Sequence, residues 1–231
     1  MKKLLFALCG VLLLNIPLHA AAAVVPVVLK DSSGIVVLQP VVNNNAPLVV
    51  FITGDGGWKK ISQDMANGFA AKGSPVVVIN SLKYFWKKKT PIETAQLVTD
   101  LLAKYSVQFN KHDFVLVGYS FGADVIPFVA NRLPSAYTSR VKLLAMLSPG
   151  TSTDFEIKLS QMMGKQKKYA YDVVAEINRA DHYKTIILRG DEEKEFPSNN
   201  LPPHIKMILL KGGHHYDTDA GSIGGTILNE I

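Results

Sequence analysis

The stretch Phe114-Val115-Leu116-Val117-Gly118-Tyr119-Ser120-Phe121-Gly122-Ala123-Asp124 limits what this chain can fold into more than any other part of it. Four consecutive apolar residues read as a strand buried on both faces, and from Ala123 onward the apolar spacing is helical. Between them stands Gly-x-Ser-x-Gly. A chain that passes directly from a buried strand into a helix must turn sharply at the serine, and flanking glycines leave room for that turn against neighbouring elements. The hydroxyl is then presented at the carboxyl edge of a sheet, at the amino end of a helix whose dipole favours developing negative charge. The plainer alternative is a glycine-lined turn without chemistry.

The remaining sequence supplies the sheet that such a turn requires. Runs at Ile35 to Leu38, Leu48 to Ile52, Val76 to Ile79, Leu143 to Leu147, Ile186 to Leu188 and Ile205 to Leu210 alternate with helical segments. The helices are expected near Ile61 to Ala71, Pro91 to Lys104, Ala123 to Arg132 and from Ala220 onward, with Thr90 capping the second ahead of Pro91. Most of the strand runs are continuous rather than alternating, so both sides of the sheet are covered. This predicts an α/β class with a mainly parallel central sheet and helices on both faces. The interval from Ser148 to Lys184 is long enough for a small cap of one or two helices, and too short for a large lid. With 231 residues, 48% hydrophobic and 19% charged, the composition excludes disorder and a coiled coil and fits one large domain.

Met1 to Ala23 reads as a cleaved secretory leader: Lys2 and Lys3, an apolar run from Leu4 to Leu14, then small residues from Ala20 to Ala23. The run is too short to span a bilayer. The expected product is a single domain over 24–231, exported to a bacterial periplasm. The one cysteine, Cys9, falls inside the leader and is preceded by Leu8, which argues against a lipid anchor. The mature chain then has no thiol, so a nucleophile must be an oxygen or an amine. The charge balance is 25 Lys+Arg against 19 Asp+Glu, two of the lysines lying in the leader, so the basic bias is mild.

A nucleophilic serine needs a base, and the base an orienting acid, in the chain order serine, acid, histidine. After the strand at Ile186 to Leu188 comes Arg189-Gly190-Asp191-Glu192-Glu193; Glu193 is the expected acid and Asp191 its alternate. After the last strand comes Gly212-Gly213-His214-His215-Tyr216, in which His215 is the expected base and His214 its alternate. The amides of Phe121 and of Asp55, with Gly56 behind it, are the expected oxyanion donors, the second from the loop Thr53-Gly54-Asp55-Gly56-Gly57-Trp58. A carboxylate at Asp55 beside an oxyanion is electrostatically odd unless it points away or pairs with a cationic substrate. His214, His215, Asp217 and Asp219 include metal-ligating types, but nothing elsewhere supplies the rest of a shell. Neither a metal nor a cofactor is expected.

Ser81-Leu82-Lys83-Tyr84-Phe85-Trp86-Lys87-Lys88-Lys89 reads as a basic loop carrying aromatics on the same edge of the sheet. Trp86 and Lys87 are candidate substrate contacts there. In an exported protein phospholipid head groups suit such a surface better than nucleic acid, which is not expected as a partner.

Taken together, Gly54-Asp55-Gly56-Gly57-Trp58, Ser81 to Trp86, Gly118 to Asp124 and Gly213-His214-His215-Tyr216 resemble the α/β-hydrolase superfamily, and within it the bacterial virulence protein family VirJ/AcvB, in the single-domain VirJ form. The resemblance implies an α/β-hydrolase fold and an exported serine hydrolase tied to the cell envelope and, in some bacteria, to type IV secretion proteins. For the AcvB branch it implies cleavage of an aminoacyl-phospholipid such as lysyl-phosphatidylglycerol. Two rival readings stay open on sequence: a binding module that holds a secretion component with its serine idle, and a carboxylesterase or thioesterase for a small soluble ester.

Overall fold

The computed structural model describes residues 28–30, 33–42, 44–158, 169–194, 196–197 and 201–231; the expected leader lies outside them. An eight-stranded sheet forms the centre, in the order β1 (Val28–Lys30), β2 (Ile35–Leu38), β4 (Val76–Ile79), β3 (Leu48–Ile52), β5 (Phe114–Tyr119), β6 (Val141–Leu147), β9 (Thr185–Gly190), β10 (Lys206–Leu210). From β4 to β10 every neighbour is parallel; β2 joins β4, and β1 joins β2, antiparallel. Every residue of β2, β3, β4 and β5 is buried, which is why their sequences run apolar without alternation.

The two faces divide the strand residues by parity. Leu48, Val50 and Ile52 join one core with α3 (Pro91–Gln108), α4 (Phe121–Ala130) and α6 (Val173–Arg179). Val49 and Phe51 join the other, with Met65 and Phe69 of α1 (Lys60–Ala71) and Ile223 and Ile227 of α7 (Ala220–Leu228). On that face α1 and α7 cross in near backbone contact. A β carbon built at Gly68 would stand 2.0 Å from the Gly221 carbonyl oxygen, and one at Gly224 would stand 2.7 Å from the Phe69 nitrogen.

Every strand and helix expected from the sequence is present, with shifts at the ends. Thr90 closes a capping box with Glu93 at the start of α3. Helix α4 begins at Phe121, two residues early, because the turn at Ser120 runs straight into it. The basic segment is not wholly loop: Ser81–Tyr84 is a short helix, α2, capped by Asn80. A second one-turn helix, α5, covers Ser135–Thr138. In the interval where a small cap was expected, β7 (Ser152–Thr153) pairs antiparallel with β8 (Tyr171–Asp172), and α6 follows. Helix α6 lays Val173 and Ile177 into the core beside α4, while Val174, Ala175 and Asn178 face the cleft described below. Glu176 of α6 is buried between Arg132 and Arg179, which fixes the helix to the end of α4. No helix among the described residues is long and apolar enough to cross a membrane.

Candidate active site

Ser120 sits between β5 and α4 with φ 52° and ψ −118°, a conformation that costs a non-glycine residue of order 1–3 kcal/mol. Its amide donates to the Leu147 carbonyl at 2.8 Å, which ties the turn to β6. The two motif glycines are steric necessities. A β carbon at Gly118 would lie 2.2 Å from the Gly122 carbonyl oxygen, and one at Gly122 would lie 2.1 Å from that of Ile52.

The imidazole beside the serine belongs to His214. Its Nε2 lies 2.8 Å from Ser120 Oγ, and its Nδ1 lies 2.7 Å from Glu193 Oε1. His215, the residue expected there, is turned away: its Nδ1 meets the Tyr119 hydroxyl at 2.9 Å. The physical reason is a small polar lock. The Tyr119 hydroxyl donates its proton to the His214 carbonyl at 3.1 Å and accepts from His215, holding the backbone of one histidine and the ring of the other. The two imidazoles stay in edge-to-face contact at 5.6 Å, and Tyr216, at φ 53°, ends the turn by sending its ring into the core.

Glu193 is where the sequence placed it, and its carboxylate is fully engaged. While Oε1 faces His214, Oε2 accepts from Ser148 Oγ at 2.6 Å and from the Gly190 amide at 2.7 Å. Ser148 spends its one proton on the carboxylate, so the buried Tyr216 hydroxyl, 2.7 Å away, donates to Ser148. Burial pushes the Glu193 carboxyl up, but the hydrogen bonds from Ser148, His214 and Gly190 outweigh it and hold the group below the usual carboxylate range. The same negative charge, with that of Asp55, adds to burial in raising the Tyr119 hydroxyl, so Tyr119 stays a donor. Asp191, the alternate acid, instead accepts from the Gly212 amide at 2.9 Å and braces the histidine loop.

The loop after β3 comes against the serine: a β carbon at Gly54 would be 3.4 Å from Ser120 Cβ. None of the hydrogen bonds among the described residues uses the amides of Phe121, Asp55 or Gly56. These amides therefore remain uncommitted, that of Phe121 directly after the serine and those of Asp55 and Gly56 in the loop that reaches it. The Asp55 side chain is exposed. Phe121 packs its ring edge-on against Phe85 at 5.0 Å, so α2 and the segment after it flank the site.

An open cleft of about 1630 Å³ extends from Ser120 and His214 to Gly150, Asp172 and Arg189. Trp86 and Lys87 do not line it; they stand outside, exposed, with Lys88 alongside. Asp124 does line it, a residue that the sequence offered only as part of the motif. Its signal was an acidic side chain in the otherwise apolar helix Phe121–Ala130, four positions after the serine.

Residues 46–231 match the family described as bacterial virulence protein (VirJ). No curated protein matches the chain significantly. Among solved structures, the esterase domain of a Rhodothermus marinus protein superposes with TM-score 0.60 at 14% identity, over 88% of this chain and 96% of that one. Est1E from Butyrivibrio proteoclasticus gives 0.59 at 12% identity, over 89% and 97%. Naproxen esterase from Bacillus subtilis gives 0.59 at 14% identity, over 88% and 90%. At these identities the likeness is one of fold, and the fold is that of the α/β-hydrolases.

Proposed function

From the membership of this chain in the bacterial virulence protein family VirJ, we propose that it is a serine hydrolase that cleaves an ester through Ser120, His214 and Glu193. One observation carries the reading: a single imidazole reaches the serine hydroxyl with one nitrogen and a carboxylate with the other, at 2.8 and 2.7 Å. In this mechanism His214 Nε2 takes the Ser120 proton as Oγ attacks the ester carbonyl carbon. Glu193 holds the Nδ1–H tautomer and stabilises the imidazolium that forms. The amides of Phe121 and Asp55 receive the developing oxyanion. The imidazolium then protonates the leaving alcohol, and a water activated by His214 releases the acid from the serine.

The substrate class we propose is an aminoacyl ester of an anionic phospholipid, such as lysyl-phosphatidylglycerol, met in the periplasm by an exported protein of the cell envelope. Support for a lipid surface comes from the segment beside the cleft, where Trp86 is 53% and Ile92 74% exposed next to Lys87 and Lys88. The test has two steps. Fluorophosphonate should add one adduct mass to the purified protein and none to Ser120→Ala; a folded wild-type protein that stays unlabelled would sink the hydrolase reading. Vesicles containing lysyl-phosphatidylglycerol should then release lysine. Cleavage of short soluble esters with no release from vesicles would replace the lipid reading with a general esterase.

A further inference from the structure

The cleft beside Ser120 contains charges of both signs, and they differ in depth and in use. Glu193 is bound to His214, Ser148 and Gly190. Arg189 donates through its terminal nitrogens to the carbonyl oxygens of Glu193 and Phe196, while its buried Nε has no partner among the described residues. Asp172 caps α6 through the Ala175 amide at 2.9 Å. Glu192 and Lys194 are exposed at the rim.

Asp124 lies deeper than Asp172, Glu192 and Lys194 and is less used than Glu193. It lies in the first turn of α4, four residues after Ser120, and the two residues line the same cleft. Its Oδ1 accepts from the Gly150 amide at 2.6 Å. None of the hydrogen bonds or ion pairs among the described residues supplies a cation to it or a donor to Oδ2. Burial pushes the carboxyl up to about 8; the Gly150 amide opposes that, and the charge of Asp55 adds to it. This half-buried carboxyl opens on the cavity beside the nucleophile with no donor at Oδ2; held mainly as the acid near neutral pH, it would ionise on meeting a cationic group, which would fill the vacant Oδ2.

We infer that Asp124 is the subsite for the α-ammonium of an aminoacyl ester whose carbonyl is presented to Ser120. Sharing one cleft wall suits an amine close to the carbonyl: an α-ammonium is two bonds from the carbon that Oγ attacks. Asp55 is exposed and outside the cleft lining, Asp172 and Glu192 are exposed, and Glu193 is held by His214, which leaves Asp124 as the interior partner. A fatty acyl chain or an anionic acyl group meets an unfavourable wall there.

This inference rests on the ester-hydrolase reading, so the experiment separates the two. Hydrolysis of alanyl-glycerol and propionyl-glycerol, which differ only in the α-ammonium, is followed with wild type and Asp124→Asn. The variant keeps an acceptor for Gly150 and turns an amide toward the amine. The ratio of kcat/KM for alanyl over propionyl ester should fall tenfold or more, and comparison between the two proteins cancels the intrinsic reactivity of the esters. An unchanged ratio, with Ser120 labelled in both proteins, overturns the assignment of Asp124 and leaves the hydrolase reading standing. A wild-type protein that neither labels nor cleaves either ester overturns both. A second measurement needs no variant: alaninamide should protect wild-type Ser120 from fluorophosphonate at concentrations at least tenfold below propionamide, and equal protection overturns the inference.

Discussion

Removing the Ser148 hydroxyl tests the polar chain behind the acid, because its two consequences separate. In Ser148→Ala the Glu193 carboxylate loses one of its three hydrogen bonds, a charge-assisted one. Such a bond contributes about 1.5–3 kcal/mol. The Tyr216 hydroxyl, buried and directed at Ser148, then has no acceptor, at a further cost of about 1–3 kcal/mol. Alanine keeps the β carbon at φ 49°, so backbone strain is matched between the two proteins. The expected loss is about 2.5–6 kcal/mol in urea unfolding. The carboxylate remains held by His214 and Gly190, so kcat/KM on an ester should fall only about tenfold, against a fall of order 10⁴ for Glu193→Gln, which favours the wrong imidazole tautomer. Adding Tyr216→Phe removes the orphaned hydroxyl. The double variant should regain about 1–2 kcal/mol over Ser148→Ala while its kcat/KM stays at the single-variant level. If the second substitution destabilises further, or restores activity, the assigned direction of the chain from Tyr216 through Ser148 to Glu193 is wrong.

Exchanging the histidines checks the correction at the base: His214→Ala should cut kcat by about 10³-fold or more, whereas His215→Ala, which loses only the Tyr119 contact, should cost less than about tenfold in steady-state assays. Glu176→Ala removes the carboxylate that ties α6 to Arg132 and Asn131, and because both arginines reach solvent it should cost about 1–3 kcal/mol in denaturant unfolding. Asp124 and Glu193 should give opposite slopes of stability against pH. With Asp124 raised to about 8 in the folded state, its contribution is present below the unfolded carboxyl range and is lost as pH rises through about 8. Asp124→Asn should therefore gain stability over wild type at pH 8–9, an advantage that shrinks toward about pH 4, in melting curves across that range. With Glu193 lowered, its stabilisation is present above the usual carboxylate range and lost as pH falls through the depressed value, so Glu193→Gln should flatten the acid limb of the same curve.

How much of this was legible in the sequence depended on how local the determining physics is. The turn at Ser120 was readable because its backbone demands two glycines at fixed spacing, and Glu193 because a strand, a glycine turn and a carboxylate follow one another directly. The choice between His214 and His215 was not readable, since it is made by the Tyr119 hydroxyl, 95 and 96 residues away in the chain. Helix α2 was missed because one helical turn is too short to show periodicity. Trp86 and Lys87 carried the right chemistry for a surface contact, but only the path of the chain after α2 decides that they stand outside the cleft. Asp124 was visible within the motif and invisible as a cleft residue, because the wall it belongs to is closed by Gly150 from the far side of the sheet's edge.

The contact of Gly68 with Gly221 bears on how the molecule is made. A chain produced from its amino end exposes the apolar face of α1, with Met65 and Phe69, long before α7 exists to cover it. The approach is built on a glycine in each helix, Gly68 of α1 and Gly224 of α7, where a β carbon would meet the other helix's backbone. Residues 72–219, and with them Ser120, Glu193 and His214, must therefore be produced while that face is open to solvent or to a chaperone. Closure of α7 over α1 is a late event in biogenesis, and it follows the histidine loop by only a few residues.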